Sequence, residues 1–351
     1  MKKDWMVRES ELDDDQLRVL NSIIDKSLIV TGCAGSGKSV LALIKAARIE
    51  KERGKNYQII VYTKALCSYM NSGRIELGLK NMFHYHWYWQ NKLGKPSADY
   101  TIVDEIQDFT KEEIEEFIGS TKKNFFFFGD TAQSIYEGLK DTMPVEDIAL
   151  ELRSYRPKQF ELYRNYRLPM AIAKFVQYIG KDLPPFEPSV YKSKVDTIPF
   201  MLRFKDAGEQ LIFIKSMIER YSLTDVAVLL PNNELVKDFA QDLSEIGIDC
   251  ELKYNNRQDW RYNEDTLNFS TTNVKVMTYH SAKGLQFETV FLPIMEKFKE
   301  EGDSDRKSLY VAATRTYKDL YLMYSEQMPS VLKNIPAELF KTDTMITIED
   351  I

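Results

Sequence analysis

"SLIVTGCAGSGKSVLALIKAARIEKERG", residues 27–54, decides the fold. It opens on a short apolar run without alternation, the pattern of a strand buried on both faces. Residues 38–54 read as a helix closed by a glycine. Between them "GCAGSGKS" (32–39) matches G-x-x-x-x-G-K-[ST]. Strand, glycine-rich turn and helix in that order make a cradle for phosphate. The backbone N–H groups of Gly32, Ala34, Gly35, Ser36 and Gly37 gather at the positive end of the helix. Lys38 is placed to pair with the β- and γ-phosphates of ATP or GTP, and Ser39 to ligate Mg²⁺.

Outward from this unit, strand-like and helix-like segments alternate. Residues 57–63, 99–105 and 124–130 read as further strands of a buried parallel sheet. The pattern restarts with strands at 198–204, 225–231, 273–279, 288–294 and 319–325, and with helices near 207–221, 232–246 and 304–316. The expectation is an α/β chain of two domains, 1–160 and 161–351. The Pro-rich stretch "DLPPFEPSV" (182–190) is expected as a surface loop of the second.

Two strand ends carry chemistry. "YTIVDEIQD" (100–108) ends in acid, where Asp104 can hold Mg²⁺ and Glu105 can polarise an attacking water. "NFFFFGDTAQSIY" (124–136) runs four phenylalanines into a polar turn. Ligands of open α/β sheets lie beyond the carboxyl ends of the strands. So Phe125 to Phe128 are expected in the core, Gly129 at a turn, and Asp130 and Gln133 in the site. Gln133 is the candidate sensor of the γ-phosphate.

Composition narrows the class. The chain has 351 residues, comfortable for two domains. No apolar run approaches the roughly 20 residues that span a bilayer, so no membrane role is expected. The N-terminus lacks the apolar segment of a secretory signal. Cys33, Cys67 and Cys250 are widely spaced, without metal-ligand spacing, and fit a cytoplasmic location. The net charge of −6 speaks against a globally basic nucleic-acid binder but leaves room for a local basic stripe.

Taken in order, the motifs resemble those of superfamily 1 helicases of the UvrD/Rep type, over most of the chain. "LDDDQLRVL" is similar to the family's N-terminal Q motif, which implies that Gln16 reads adenine. "GCAGSGKS" and "DEIQD" stand as the two Walker elements, and "GDTAQSIY" as the next motif. "YRNYRLP" (163–169) implies Tyr166 stacking on adenine and Arg167 reaching the γ-phosphate. "VKVMTYHSAKGLQFETVFLP" (274–293) and "LYVAATRTYKDLYLMYS" (309–325) resemble the last two. In these, Gly284 and Gln286 are expected at the nucleotide and Arg315 as a second arginine finger. Strand contacts carry over to Thr63, Lys64, Thr278 and His280. "FHYHWYWQ" (83–90) resembles a further strand-contacting element, with either His84 or His86 on its histidine and Trp87 among rings that could stack bases. The implied fold is α/β, two tandem RecA-like P-loop NTPase domains with mostly parallel sheets flanked by helices.

That resemblance implies an ATP- and Mg²⁺-dependent translocase or helicase on single-stranded nucleic acid, 3′→5′ in polarity, DNA ahead of RNA. Several departures keep a second reading open. Glu137-Gly138-Leu139 stand where larger relatives carry a stacking tryptophan and an arginine. Val40 replaces an arginine, and Gln286 a glutamate. Only residues 90–99 and 252–273 occupy the places of two helical inserts, too few for compact subdomains. In the second reading the chain is an ATP-dependent clamp or switch that recruits a nuclease or other effector and unwinds nothing alone.

Overall fold

A computed structural model describes residues 9–54, 56–130, 141–180, 183, 185–255, 261, 263–300 and 302–342. The chain divides into two compact units, Lys2–Tyr166 and Arg167–Ile351.

Among the described residues the first unit carries six strands: β1 (Leu28–Gly32), β2 (Tyr57–Val61), β3 (Phe83–Tyr85), β4 (Ala98–Val103), β5 (Thr121–Gly129) and β6 (Lys158–Leu162). They form one sheet in the order β3-β2-β4-β5-β1-β6, parallel throughout. Parallel neighbours need crossovers, and helices supply most of them. These are α2 (Lys38–Arg53), α3 (Lys64–Glu76), α4 (His86–Asn91), α5 (Lys111–Gly119) and α6 (Val145–Glu151), while α1 (Asp14–Asn21) precedes β1. The unit runs on to Tyr166, past the expected boundary at 160/161, because β6 is a strand of its sheet.

The phenylalanine run is the middle of β5, with β1 on one side and β4 on the other. All four rings are buried. Strand alternation sends Phe125 and Phe127 into a cluster with Phe117 of α5 and Ile148 of α6. Phe126, one residue out of phase, sits under the Lys45 ammonium of α2.

The second unit contains α7 (Met170–Val176), β7 (Phe200–Arg203), α8 (Ala207–Tyr221), β8 (Val226–Leu230), α9 (Asn233–Glu245), β9 (Cys250–Tyr254), β10 (Glu264–Asp265), β11 (Val274–Thr278), β12 (Phe287–Leu292), α10 (Asp303–Ala313) and β13 (Thr316–Tyr324). Its sheet order is β10-β9-β11-β8-β12-β13-β7; among the described residues the β10–β9 pair is antiparallel and the other strand pairs are parallel. Phe200, Tyr321 and Phe291 stack in sequence across three strands, each step 4.9 Å between ring centroids. Residues 185–187 lie in irregular chain within the expected loop, followed by a single helical turn at Pro188–Val190. Among the described residues no helix is long and apolar enough to cross a membrane.

Candidate functional site

The site of the first unit lies at the carboxyl ends of β1, β4 and β5. Helix α2 starts straight from the glycine loop. Gly37, at its N-cap, has φ of 89° and lies against the Gln16 side chain, where a Cβ would come within 2.8 Å of Nε2. Only glycine meets both conditions without strain. Lys38 follows, buried, with Nζ donating to the carbonyls of Gly32 (2.6 Å) and Cys33 (3.0 Å). The same ammonium lies 3.8 Å from the Asp130 carboxylate. The next residue, Ser39, donates its hydroxyl to Asp104 Oδ2 at 2.6 Å.

Asp104 is fully buried. Burial, and then the neighbouring Glu105 carboxylate, push its carboxyl up to about 7. Two adjacent carboxyls in a dry site resist ionising together. Glu105 itself adopts a left-handed conformation, φ 57°, which is uncommon for a residue with a long side chain. A hydrogen bond holds its side chain there: Gln107 Nε2 donates to Glu105 Oε2 at 2.5 Å. The other end of the Gln107 amide accepts from Asp130 N at 2.9 Å. Gln107 thus ties the end of β4 to the end of β5. Gly129 was expected to permit a turn. It closes β5 instead, and its need is for space, since a Cβ would meet Gln107 Oε1 and Ile106 Cγ2 at 2.7 Å.

A second set of contacts surrounds the glycine loop. Gln16 Nε2 donates to Ser36 O at 2.9 Å, and Gln16 Oε1 accepts from Asp13 N at 3.0 Å. Asp13 caps α1 by accepting from Gln16 N at 2.7 Å. Its carboxylate also accepts a short hydrogen bond from the Tyr166 hydroxyl and pairs with Arg164 at 3.2 Å. Burial works to raise the Asp13 carboxyl, but the hydrogen bonds from Gln16 N, Tyr166 and Arg164 hold it below the usual range. Tyr166 N donates to Gly35 O at 3.0 Å. Tyr166 keeps an exposed ring, 38% accessible.

The structure therefore brings Lys38, Ser39, Asp104, Glu105 and Asp130 together at the strand ends, with Gln16 and Tyr166 beside the loop. Gln133 and the Glu137–Leu139 segment lie outside the described residues. Sequence reading passed over Asp13 and Gln107. The Asp-x-x-Gln spacing of a capping box was the available signal for Asp13. Nothing local marks Gln107, whose role depends on a partner on another strand.

The donor set suits a magnesium–nucleotide pair. Ser39 Oγ and Asp104 offer hard oxygen ligands. Among the described residues no cluster of three His, Cys, Asp or Glu side chains could hold a metal unaided. A cation at Ser39 and Asp104 would thus draw its other ligands from phosphate and water.

The expected strand-contact residues fare differently. Thr63 caps α3 by accepting from Leu66 N at 3.1 Å, and Lys64 is exposed in the first turn. The aromatic stretch forms β3 and α4. His86, expected at the strand, is turned into the core, 5.2 Å from the Phe109 ring and 5.6 Å from Phe117. Trp89, one helical turn on, is fully buried and donates to Gln58 Oε1 at 2.9 Å. That helix face packs into the core, His86 with it. Trp87 and Tyr88 face solvent, and Lys92 lies 5.7 Å from the centre of the Trp87 ring.

In the second unit, Thr278 ends β11 and accepts from Ser281 N at 3.2 Å. His280, Gly284 and Gln286 lie in the turn before β12. Arg315 is buried after α10, with Nε donating to Val311 O at 2.8 Å and Nη2 to Thr314 Oγ1 at 3.2 Å. Arg167 is half-buried at the start of the unit.

Comparison with known proteins gives these motifs a family. The viral superfamily 1 RNA helicase core domain matches residues 28–207, just over half of the chain. The UvrD-like helicase C-terminal domain matches residues 261–327. A probable DNA helicase of Mycoplasma pneumoniae is 24% identical over 252 residues, covering 65% of this chain and 44% of that protein. A RecBCD enzyme subunit RecB of Chlamydia pneumoniae is 43% identical over 63 residues, 17% of this chain and 6% of that protein. A probable DNA helicase II homolog of Rickettsia conorii is 42% identical over 65 residues, 15% of this chain and 10% of that protein. The chain thus spans less than half the length of each of these relatives. A solved C-terminal domain of a possible DNA helicase from Lactobacillus plantarum overlaps 50% of this chain and 98% of its own, at 17% identity and a TM-score of 0.39. The parallel sheets, the glycine loop leading into α2 and the matches on both halves agree: the chain belongs to the superfamily 1 helicases of the UvrD/Rep type.

Proposed function

We propose that this chain is an ATP-driven motor on single-stranded nucleic acid, DNA ahead of RNA, with 3′→5′ polarity. The observation that carries the reading is the convergence of Lys38, the Ser39–Asp104 pair at 2.6 Å, and Glu105 braced by Gln107. In this reading Lys38 holds the β- and γ-phosphates. Ser39 and Asp104 hold Mg²⁺, which when bound neutralises phosphate charge and the crowding of Asp104 against Glu105. Glu105 accepts the proton of the attacking water, in the orientation set by Gln107. Gln16 and Tyr166 take the base. Arg167 and Arg315, from the second unit, act on the γ-phosphate, and their engagement couples hydrolysis to closure of the two units. Gln133 senses the same phosphate.

On the nucleic-acid side, Thr63, Lys64, Trp87, Thr278 and His280 are the proposed contacts. The exposed Trp87 offers a stacking surface and Lys64 a charge. The clamp reading stays second, favoured by the net charge of −6. Steady-state ATPase activity with and without single-stranded DNA or RNA is the test. Stimulation by a strand supports the motor. Basal turnover that ignores every strand overturns it in favour of a switch. Absence of turnover under all conditions overturns both.

A further inference from the structure

We propose that Asp13 is a positioning residue for nucleotide-base recognition, holding Tyr166 and Gln16 as one unit against the glycine loop. The inference rests on the ATP-site reading above and deepens it.

Four hydrogen bonds close a ring. The Tyr166 hydroxyl donates to Asp13, and Asp13 accepts from Gln16 N at 2.7 Å. Gln16 Nε2 donates to Ser36 O at 2.9 Å, and Tyr166 N returns to Gly35 O at 3.0 Å. Two consecutive loop residues therefore anchor both ends of the ring, and Asp13 is the member that joins α1 to the chain after β6. Asp13 N also donates to Gln16 Oε1, which fixes the face the amide presents. A stacking ring with a free hydroxyl would swing about its χ1 bond. Tied at backbone and hydroxyl, it is held in one orientation before any ligand arrives, so less ordering remains for binding to overcome. Arg164, 3.2 Å from the same carboxylate, keeps the acceptor ionised.

Asp13 performs two jobs that substitution can separate. Asp13→Ser retains an N-cap oxygen for Gln16 N but is too short to reach the Tyr166 hydroxyl. Asp13→Asn keeps the length, the cap and a polar group at Tyr166. Tyr166→Phe keeps the ring and removes only the hydroxyl. The experiment measures ATP and GTP affinity by direct binding, together with kcat, for wild type, these three variants and Asp13→Ser/Tyr166→Phe.

Asp13→Ser and Tyr166→Phe should each weaken ATP binding about tenfold, the scale of a lost hydrogen bond to a charged group. Both should narrow the preference for ATP over GTP, with the loss falling on affinity more than on kcat, as expected for groups that position the base. The double variant should be no worse than either single one, because both break the same contact. Asp13→Asn should stay near wild type. Additive losses, or a fall in kcat at unchanged affinity, would overturn the proposal while leaving the ATP site intact. A wild-type protein that binds no nucleotide would instead overturn the ATP-site reading itself, and this inference with it.

Discussion

The proposed motor gives Lys38 and Glu105 different jobs, and substitution should separate them. Lys38→Ala removes the ammonium proposed to hold the phosphates and should abolish turnover. Glu105→Gln keeps size and should bind ATP yet turn it over about 10²-fold or more slowly. Wild-type turnover by the Gln variant, measured by phosphate release, would contradict the role given to Glu105. Lys45 offers a prediction independent of catalysis. Its buried ammonium, giving hydrogen bonds to Ser22 O (2.6 Å) and Ser22 Oγ (3.0 Å), is pulled down to about 8, first by burial and next by Arg48. The unfolded chain holds that proton up to about 10.4. Between those values the unfolded state binds more protons, so stability should rise with pH from about 8 to 10. Lys45→Met should remove that slope, as urea unfolding across the window would show; an unchanged slope would place the titration elsewhere.

At the level of elements, α4 shows how much of the molecule the sequence could reveal. His86 and Trp89 are three residues apart and share the buried face, while Trp87 and Tyr88 take the open one. Reading the aromatic string as a helix would have sorted them. Trp89→Ala should cost about 3–5 kcal/mol of stability. Trp87→Ala should leave thermal unfolding unchanged but weaken strand binding by about 1–3 kcal/mol, as fluorescence anisotropy would report. The reverse result would exchange the two roles. The strands that could be read beforehand are the buried apolar runs, β1, β2, β4 and β5 in the first sheet. β6 was missed because an edge strand such as "KQFEL" mixes charge with apolar residues and exposes most of its length. β3 and β10 are too short to show a period. In the site, Lys38, Ser39, Asp104 and Glu105 were legible because contiguous motifs carry them. The cap at Asp13 was readable from its spacing to Gln16, but its bond to Tyr166 and the brace at Gln107 were not, since only folding supplies those partners.

For the whole molecule, the proposed motor has a short track. With no long inserts at 90–99 or 252–273, few phosphates can be neutralised, so the salt dependence of strand binding should be shallow. The isolated chain should displace a strand from a tailed duplex poorly even where that tail stimulates its ATPase; processive unwinding by the monomer would refute this. Arg167→Ala and Arg315→Lys should cut kcat far more than ATP affinity, the conservative change at Arg315 being chosen because its side chain is buried. Loss of affinity with kcat unchanged would show that they bind ground state and transition state alike.

The phenylalanine strand carries a further consequence, for how the chain reaches this state at all. β5 can be covered only when β1, far earlier in sequence, and β4 have come to flank it. Until then four consecutive aromatic residues with high strand propensity stand open to other copies, the composition of a cross-β seed. Exposed Lys122 and Lys123 lie just before them and Asp130 just after, charges that disfavour stacking of one copy on another. Lys122→Thr/Lys123→Thr should therefore raise light scattering during refolding while shifting the unfolding midpoint of the native protein little, since exposed ion pairs such as Lys123–Asp99 contribute weakly. Refolding as clear as wild type would assign the two lysines no such guard duty.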